Sequence, residues 1–301
     1  MAHVSTRDWI ILSVLGLGWG SSFLCNAILV REIGPLWVSC GRVLFGALAL
    51  WIVIFAIGPR PKIPWEKIMP LTVFGMLHFG LPLALYPLAQ EGLASGVTGI
   101  INAMTPILVV IVSHFWPGGE HATKLKTLGV IVGFVGILIL ALPEISSGEA
   151  SAVWAIGIAL MAPLSYACAL NYVRWLSGID RLLMTTVSMT ASAVLLIPLS
   201  FLVDGVPVLT SAEGWAAMLF SGVVLTGGFF AILMRLVARV GATTASTVTF
   251  IAPVSAVGLG ALVLHEAILP AHMIGMGLIF LGLLIIDGRL ARWLRRLSYQ
   301  G

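Results

Sequence analysis

At 301 residues, 59% of them hydrophobic and 9% charged, the chain has a mean hydropathy of +1.09. A soluble domain carries about 25% charged residues, so this composition excludes an ordinary water-solvated globule and makes lipid the solvent. The formal net charge of +4 does not point to nucleic acid, because nearly all the basic residues stand in loops between apolar runs or at the chain ends, where they flank membrane spans.

Ten apolar runs, each long enough to cross a hydrocarbon layer of ~30 Å, fall near 9–30, 36–57, 69–90, 94–116, 125–142, 153–175, 182–203, 215–237, 243–265 and 271–287. Backbone groups in lipid must bond within their own segment, so each run is predicted to be a helix. The short alternating segments of a membrane barrel are absent.

In run one, Trp19, Ser22, Phe23 and Asn26 share one helical face. Trp19, Ser22 and Asn26 are candidates to line a cavity, since an asparagine in lipid must face protein or water. Gly16 and Gly20 permit close helix approach. The run is too long for a secretory signal, and nothing near Ala27 resembles a cleavage site, so no processing is expected. Run two opens at Pro35 and carries Arg42 two turns in, near the helix end, where a long side chain can snorkel. An ion pair with Glu32 or Glu91 is expected there, with gating or binding as the alternative.

Run three places His78, Pro82 and Tyr86 on one face. Histidine titrates near neutrality, which makes His78 the candidate for proton coupling, with hydrogen-bonded packing the alternative. Pro82 and Pro87 are expected to bend the helix and free carbonyls. In run four, Pro106 cannot donate to the carbonyl of Asn102, leaving a free acceptor beside the Asn102 amide. Run six echoes run one: Asn171 answers Asn26, and Tyr166 is a further cavity candidate. Run eight contributes Phe229 and Phe230 as an apolar wall. In run nine, Pro253 releases the carbonyl of Thr249, and Ser246, Thr249, Phe250 and Pro253 share a face. Irregular backbone at membrane depth survives only against protein or water, so a central cavity is predicted between runs four and nine.

The second half repeats the first. Pro106 answers Pro253; Glu120 precedes Gly129 by nine residues, as Glu266 precedes Gly275, and Gly136 and Gly282 each follow seven later. The expected division is 1–146 for the first five-helix repeat and 147–301 for the second, with a basic tail. Fourteen of the sixteen basic residues fall in alternate loops or at the termini, leaving Arg31 alone on the other side and Arg42 inside a run. The positive-inside bias then places both termini in the cytoplasm. Five spans per repeat is an odd number, so the second copy is inverted, a plan of secondary transporters that alternate between inward- and outward-open states.

With these residues in view, the chain resembles the drug/metabolite transporter superfamily, in particular ten-helix exporters built from two EamA-type repeats. The resemblance rests on Trp19-Gly20-Ser21-Ser22-Phe23, Pro35 with Arg42, Thr105-Pro106, Glu120 with Gly129 and Gly136, and Pro253, Glu266, Gly275 and Gly282. It implies an inner-membrane carrier that exports small metabolites, often amino acids, through a cavity between the repeats; aromatic amino-acid and paraquat exporters are among the similar proteins.

The expected fold class is therefore all-α integral membrane, ten transmembrane helices as two inverted five-helix repeats. The expected function is secondary export of small organic molecules, amino acids first, with efflux of lipophilic cations such as viologens as the alternative. The small multidrug exporters of that superfamily use a buried glutamate in their first helix, and run one holds none. A membrane-embedded enzyme would need paired carboxylates, a metal cluster or a nucleophile beside a base. His78, His114, His265 and His272 are scattered, and Cys25, Cys40 and Cys168 suit neither disulfides nor zinc. No catalytic residue, metal or cofactor is predicted. The expected partners are a small-molecule substrate and the bilayer, with a monomer expected and a dimer as the alternative.

Overall fold

The computed structural model describes residues 5–57, 65–146 and 150–288. The basic tail from Arg289 onward, and Arg60 and Lys62, lie outside the described residues. Among the described residues every regular element is helical, and the elements make ten segments. These are α1 (Thr6–Leu29), α2 (Pro35–Ile57), α3 (Trp65–Gln90), α4 (Ser95–Phe115), α5 (Lys124–Ser146), α6 (Ala150–Tyr172, prolonged by a 3-10 turn, Val173–Leu176), α7 (Arg181–Val203), α8 (212–240), α9 (Val248–Val263) and α10 (Pro270–Ile286). Eight are long and apolar enough to cross a bilayer; α9 and α10 are apolar but shorter.

Helix ends follow local chemistry. Ser5 and Asp8 form a reciprocal capping box at the start of α1. Asp180 and Ser211 cap α7 and α8 through their side chains. Gly241, with φ of 81°, ends α8 in a backbone conformation that a Cβ would oppose.

The two halves interlock and do not sit side by side. α1 lies on α9, and its counterpart α6 lies on α4; α2 lies on α8, and its counterpart α7 lies on α3. Three further contacts join counterpart to counterpart: α2 with α7, α4 with α9, and α5 with α10. Such a pattern is what a pseudo-two-fold axis produces.

The α5–α10 contact shows the inversion atom by atom. A Cβ on Gly129 would stand 2.7 Å from the Gly282 carbonyl oxygen, and one on Gly282 would stand 2.6 Å from that of Gly129. Gly136 and Gly275 mirror this, at 2.8 and 2.7 Å. First glycine meets last in both pairs, so the two helices run antiparallel with their backbones in contact, and only glycine permits that approach. Outward faces carry exposed Ile52, Leu138 and Leu202, apolar side chains suited to lipid contact.

Candidate functional site

α3 and its counterpart α8 are both locally unwound into π-helix, over Met76–Gly80 and Phe220–Gly228. There the amides of Leu81 and Phe229 reach back five residues, to the Met76 and Val224 carbonyls. Pro82 has no N–H to give the Leu77 carbonyl, five residues behind it. Ser165 of α6 donates its hydroxyl to that oxygen at 2.7 Å. At the matching place in the other half, the Trp19 indole of α1 donates to the Leu225 carbonyl of α8 at 3.0 Å. Each widened helix thus has a carbonyl that accepts a side-chain donor from the opposite repeat, and π-bulges are frequent at functional sites.

Around these turns the rings form a continuous chain. The centroid of Trp19 lies 5.5 Å from that of Phe230, Phe230 is 5.8 Å from His78, and His78 is 5.2 Å from Tyr166. Tyr166 is 6.5 Å from Tyr86, whose hydroxyl donates to Asn102 Oδ1 at 2.6 Å. Five helices from both repeats (α1, α8, α3, α6 and α4) therefore converge on one aromatic core with polar tips. His78 also stacks on Phe74 at 5.2 Å, and its Nδ1 makes no hydrogen bond.

Beside this chain lies Arg42, and here the sequence expectation is corrected. Arg42 is only 3% exposed and does not snorkel. It donates to Asn26 Oδ1 at 2.8 Å and to Thr226 Oγ1 at 3.4 Å, not to Glu32 or Glu91. Glu32 instead accepts hydrogen bonds from the Thr210 and Ser211 amides and from the Ser211 hydroxyl. Those bonds, the Ser211 hydroxyl first, hold its carboxyl below the usual glutamate range. Its distance from Pro35 along run two suggests a helix end open to solvent; the α1–α2–α8 crossing buries it. Thr226, its second partner, was not anticipated, and a lone threonine in an apolar run gives little signal.

The breaks in α4 and α9 also differ from expectation. α4 divides into Ser95–Asn102 and Thr105–Phe115. The Asn102 carbonyl, expected to be free ahead of Pro106, accepts the Thr105 hydroxyl at 2.8 Å. In α9 the break precedes Val248, and Pro253 lies buried inside the helix. Thr249 donates its hydroxyl to the Ser246 carbonyl at 2.6 Å, and Phe250 packs on Phe280 of α10 at 5.3 Å. The first half of α4 closes on α9, with a Cβ on Gly99 placed 2.3 Å from Ala256, so the gap expected between these helices is filled there. Ser22 is buried on the Asn26 face of α1. An open surface groove of about 340 Å³ lies elsewhere, lined by Trp51, Thr72, Val187 and Thr190 on α2, α3 and α7, with exposed Val194 and Leu195 at its edge.

One end of the bundle is fastened across the repeats. Glu266 accepts the Ser95 and Gly96 amides at 2.6 and 3.0 Å, binding the α9–α10 loop to the start of α4. Asp204 accepts the Leu36 amide at the start of α2 at 2.8 Å. Carboxylates at helix N-termini satisfy donors that have no partner within the helix. Glu120, the counterpart of Glu266, does not repeat the arrangement. It is 69% exposed and pairs with Lys126 at 2.6 Å, a bond that lowers its carboxyl's proton affinity.

The family model described as EamA-like transporter family matches residues 8–142 and again 153–287. The uncharacterized transporter YoaV of Bacillus subtilis is 28% identical over 91% of this chain and 94% of its own. An S-adenosylmethionine/S-adenosylhomocysteine transporter of Chlamydia muridarum is 22% identical over 89% and 87%. A solved crystal structure of 18% identity covers 93% of this chain and 98% of its own with a TM-score of 0.66, a likeness of fold.

Proposed function

We propose, for a chain that belongs to the EamA-like transporter family, that it is a secondary exporter of small organic metabolites, amino acids with aromatic or other apolar side chains first among them. It works from the inner membrane with both termini cytoplasmic, as a monomer, by alternating access between repeats divided at 146 and 147. The family is one of multi-pass membrane transporters, and the cargo, direction and orientation are our reading.

One observation carries the choice of cargo: the chain of rings from Trp19 to Tyr86, on helices of both repeats, with neutral polar groups at Asn26 and Asn102. Aromatic walls favour an apolar side chain, and amides suit a zwitterion. A lipophilic cation would meet the buried guanidinium of Arg42, which disfavours the viologen alternative. S-adenosylmethionine, named for a relative, also ends in an α-amino acid and belongs in the substrate panel.

The test is counterflow into proteoliposomes with labelled amino acids, with and without a pH gradient, repeated on His78→Ala. Accelerated uptake of at least one aromatic amino acid supports the reading, and failure of the whole panel removes it. Proton coupling at His78 requires that His78→Ala abolish the response to the gradient while retaining exchange. A variant with a normal gradient response assigns the imidazole to packing among Phe74, Phe79 and Tyr166.

A further inference from the structure

The two halves use one design for the crossing of α2 on α8 and of α7 on α3, yet only one crossing holds a charge. Gly222 of α8 approaches the backbone of Arg42, and at the matching place Gly75 of α3 approaches that of Ser188. Arg42 and Ser188 therefore occupy equivalent positions, 146 residues apart, the same offset as Glu120 and Glu266. Thr226, which receives the guanidinium, has Phe79 as its equivalent, at the offset of Pro106 and Pro253. A crossing of this kind closes with a serine and a phenylalanine, so the architecture does not require an arginine there.

The charge is left unneutralised. The ion pairs among the described residues are Lys126 with Glu120 and Arg239 with Asp8, and neither includes Arg42. Its partners are two neutral oxygens, those of Asn26 and Thr226. Arg42 Nε has no acceptor, and Asn26 Nδ2, on an amide only 1% exposed, has none either. Two orphan donors thus flank a single hydrogen bond, each on a side chain more than nine-tenths buried. An ionisable group at membrane depth is expensive and in general serves function. Asn26, its partner, shares the α1 face of Trp19, where the aromatic chain begins, which joins the position to that chain.

We propose that Arg42 and Asn26 anchor the anionic group, a carboxylate, of the transported solute, with Arg42 Nε and Asn26 Nδ2 donating to it. The anchor rests on the amino-acid reading above and specifies which end of the molecule is held: the carboxylate sits against α1 and α2 while the apolar side chain lies along the rings. Planar guanidinium suits a planar carboxylate better than an ammonium does.

The experiment compares phenylalanine, its methyl ester and 3-phenylpropionate as ligands of the full chain in lipid nanodiscs, read by thermal shift and by competition in counterflow. The wild type is expected to prefer both acids over the ester by about ten- to hundredfold, the range of a charge-assisted hydrogen bond. Arg42→Gln removes the preference, and Arg42→Lys keeps part of it. Asn26→Asp supplies a built-in carboxylate, so it raises the melting temperature, as it would for any buried arginine, and abolishes acid binding, which it would not do if the arginine were merely structural. Arg42→Lys and Asn26→Asp carry the test if Arg42→Gln does not fold. An ester that competes as well as the acid while phenylalanine exchanges overturns the anchor alone. If 3-phenylpropionate binds through Arg42 but phenylalanine neither binds nor exchanges, the amino-acid reading fails and the anchor stands. Binding of none of the three overturns both.

Discussion

Replacing Glu266 with glutamine tests the fastened end of the bundle directly. The carboxylate accepts two backbone amides, Ser95 at 2.6 Å and Gly96 at 3.0 Å, that α4 itself cannot satisfy. His265, next to it, is held at φ 57°, a left-handed conformation that costs a non-glycine residue about 1–2 kcal/mol. The bonds to α4 help offset that cost. A hydrogen bond to a charged group contributes about 1.5–3 kcal/mol, and Glu266 is half-buried, which argues for the lower figure. Glutamine keeps one acceptor and loses the charge, so release of the loop becomes easier by about 1–2 kcal/mol, a factor of about 5–30 in population. Hydrogen–deuterium exchange read over residues 93–100 should show that acceleration at Ser95 and Gly96, and a larger one for Glu266→Ala. Unchanged protection of these amides in Glu266→Ala would refute the reasoning.

Four more outcomes follow from the same geometry. Gly136→Ala places a Cβ about 2.8 Å from the Gly275 carbonyl oxygen, a backbone atom that cannot rotate away, and should cost about 1–3 kcal/mol. Gly157→Ala, with nothing within 4 Å of the new carbon, should be neutral or mildly stabilising in the same melting assay. Ser165→Ala strips the Leu77 carbonyl of its partner; if no water replaces the hydroxyl, the loss is about 1–3 kcal/mol, measured by denaturation in mild detergent. Glu32 has a folded-state proton affinity below the ordinary glutamate value, so its contribution to stability is present above that value and disappears as pH falls through the folded value. Glu32→Gln should flatten the melting temperature between neutral pH and that acidic window, and an unaltered acid-side slope would refute this.

The ten helices were legible because lipid imposes a length and a composition that no other signal obscures. The inversion followed from counting spans between repeated glycines, and the Gly129–Gly282 and Gly136–Gly275 contacts are its physical expression. Three features were not legible. The π-turns of α3 and α8 change a helix by one residue in five, too little to alter an apolar pattern. Arg42 was misplaced because sequence gives distance along a helix but not which neighbours cover it. The contrast between Glu120 and Glu266 had no sequence signal, since both precede matching glycines and differ only in whether another helix start comes within reach. Prolines marked the irregular region of α4 correctly but not its occupant, the Thr105 hydroxyl, which competes locally for the carbonyl that Pro106 releases.

Where α5 and α10 cross, main chain rests on main chain at four glycines, with no rotamers that could be exchanged for others. A contact of that kind does not slide in small steps: it either holds or parts, and parting exposes dry backbone to lipid. The alternating access proposed above would therefore run through contacts built from rings and adjustable side chains and not through this seam. In the proposed alternating-access cycle the glycine seam would be the fixed axle, and the aromatic helices α1, α3, α6 and α8 the parts that turn about it.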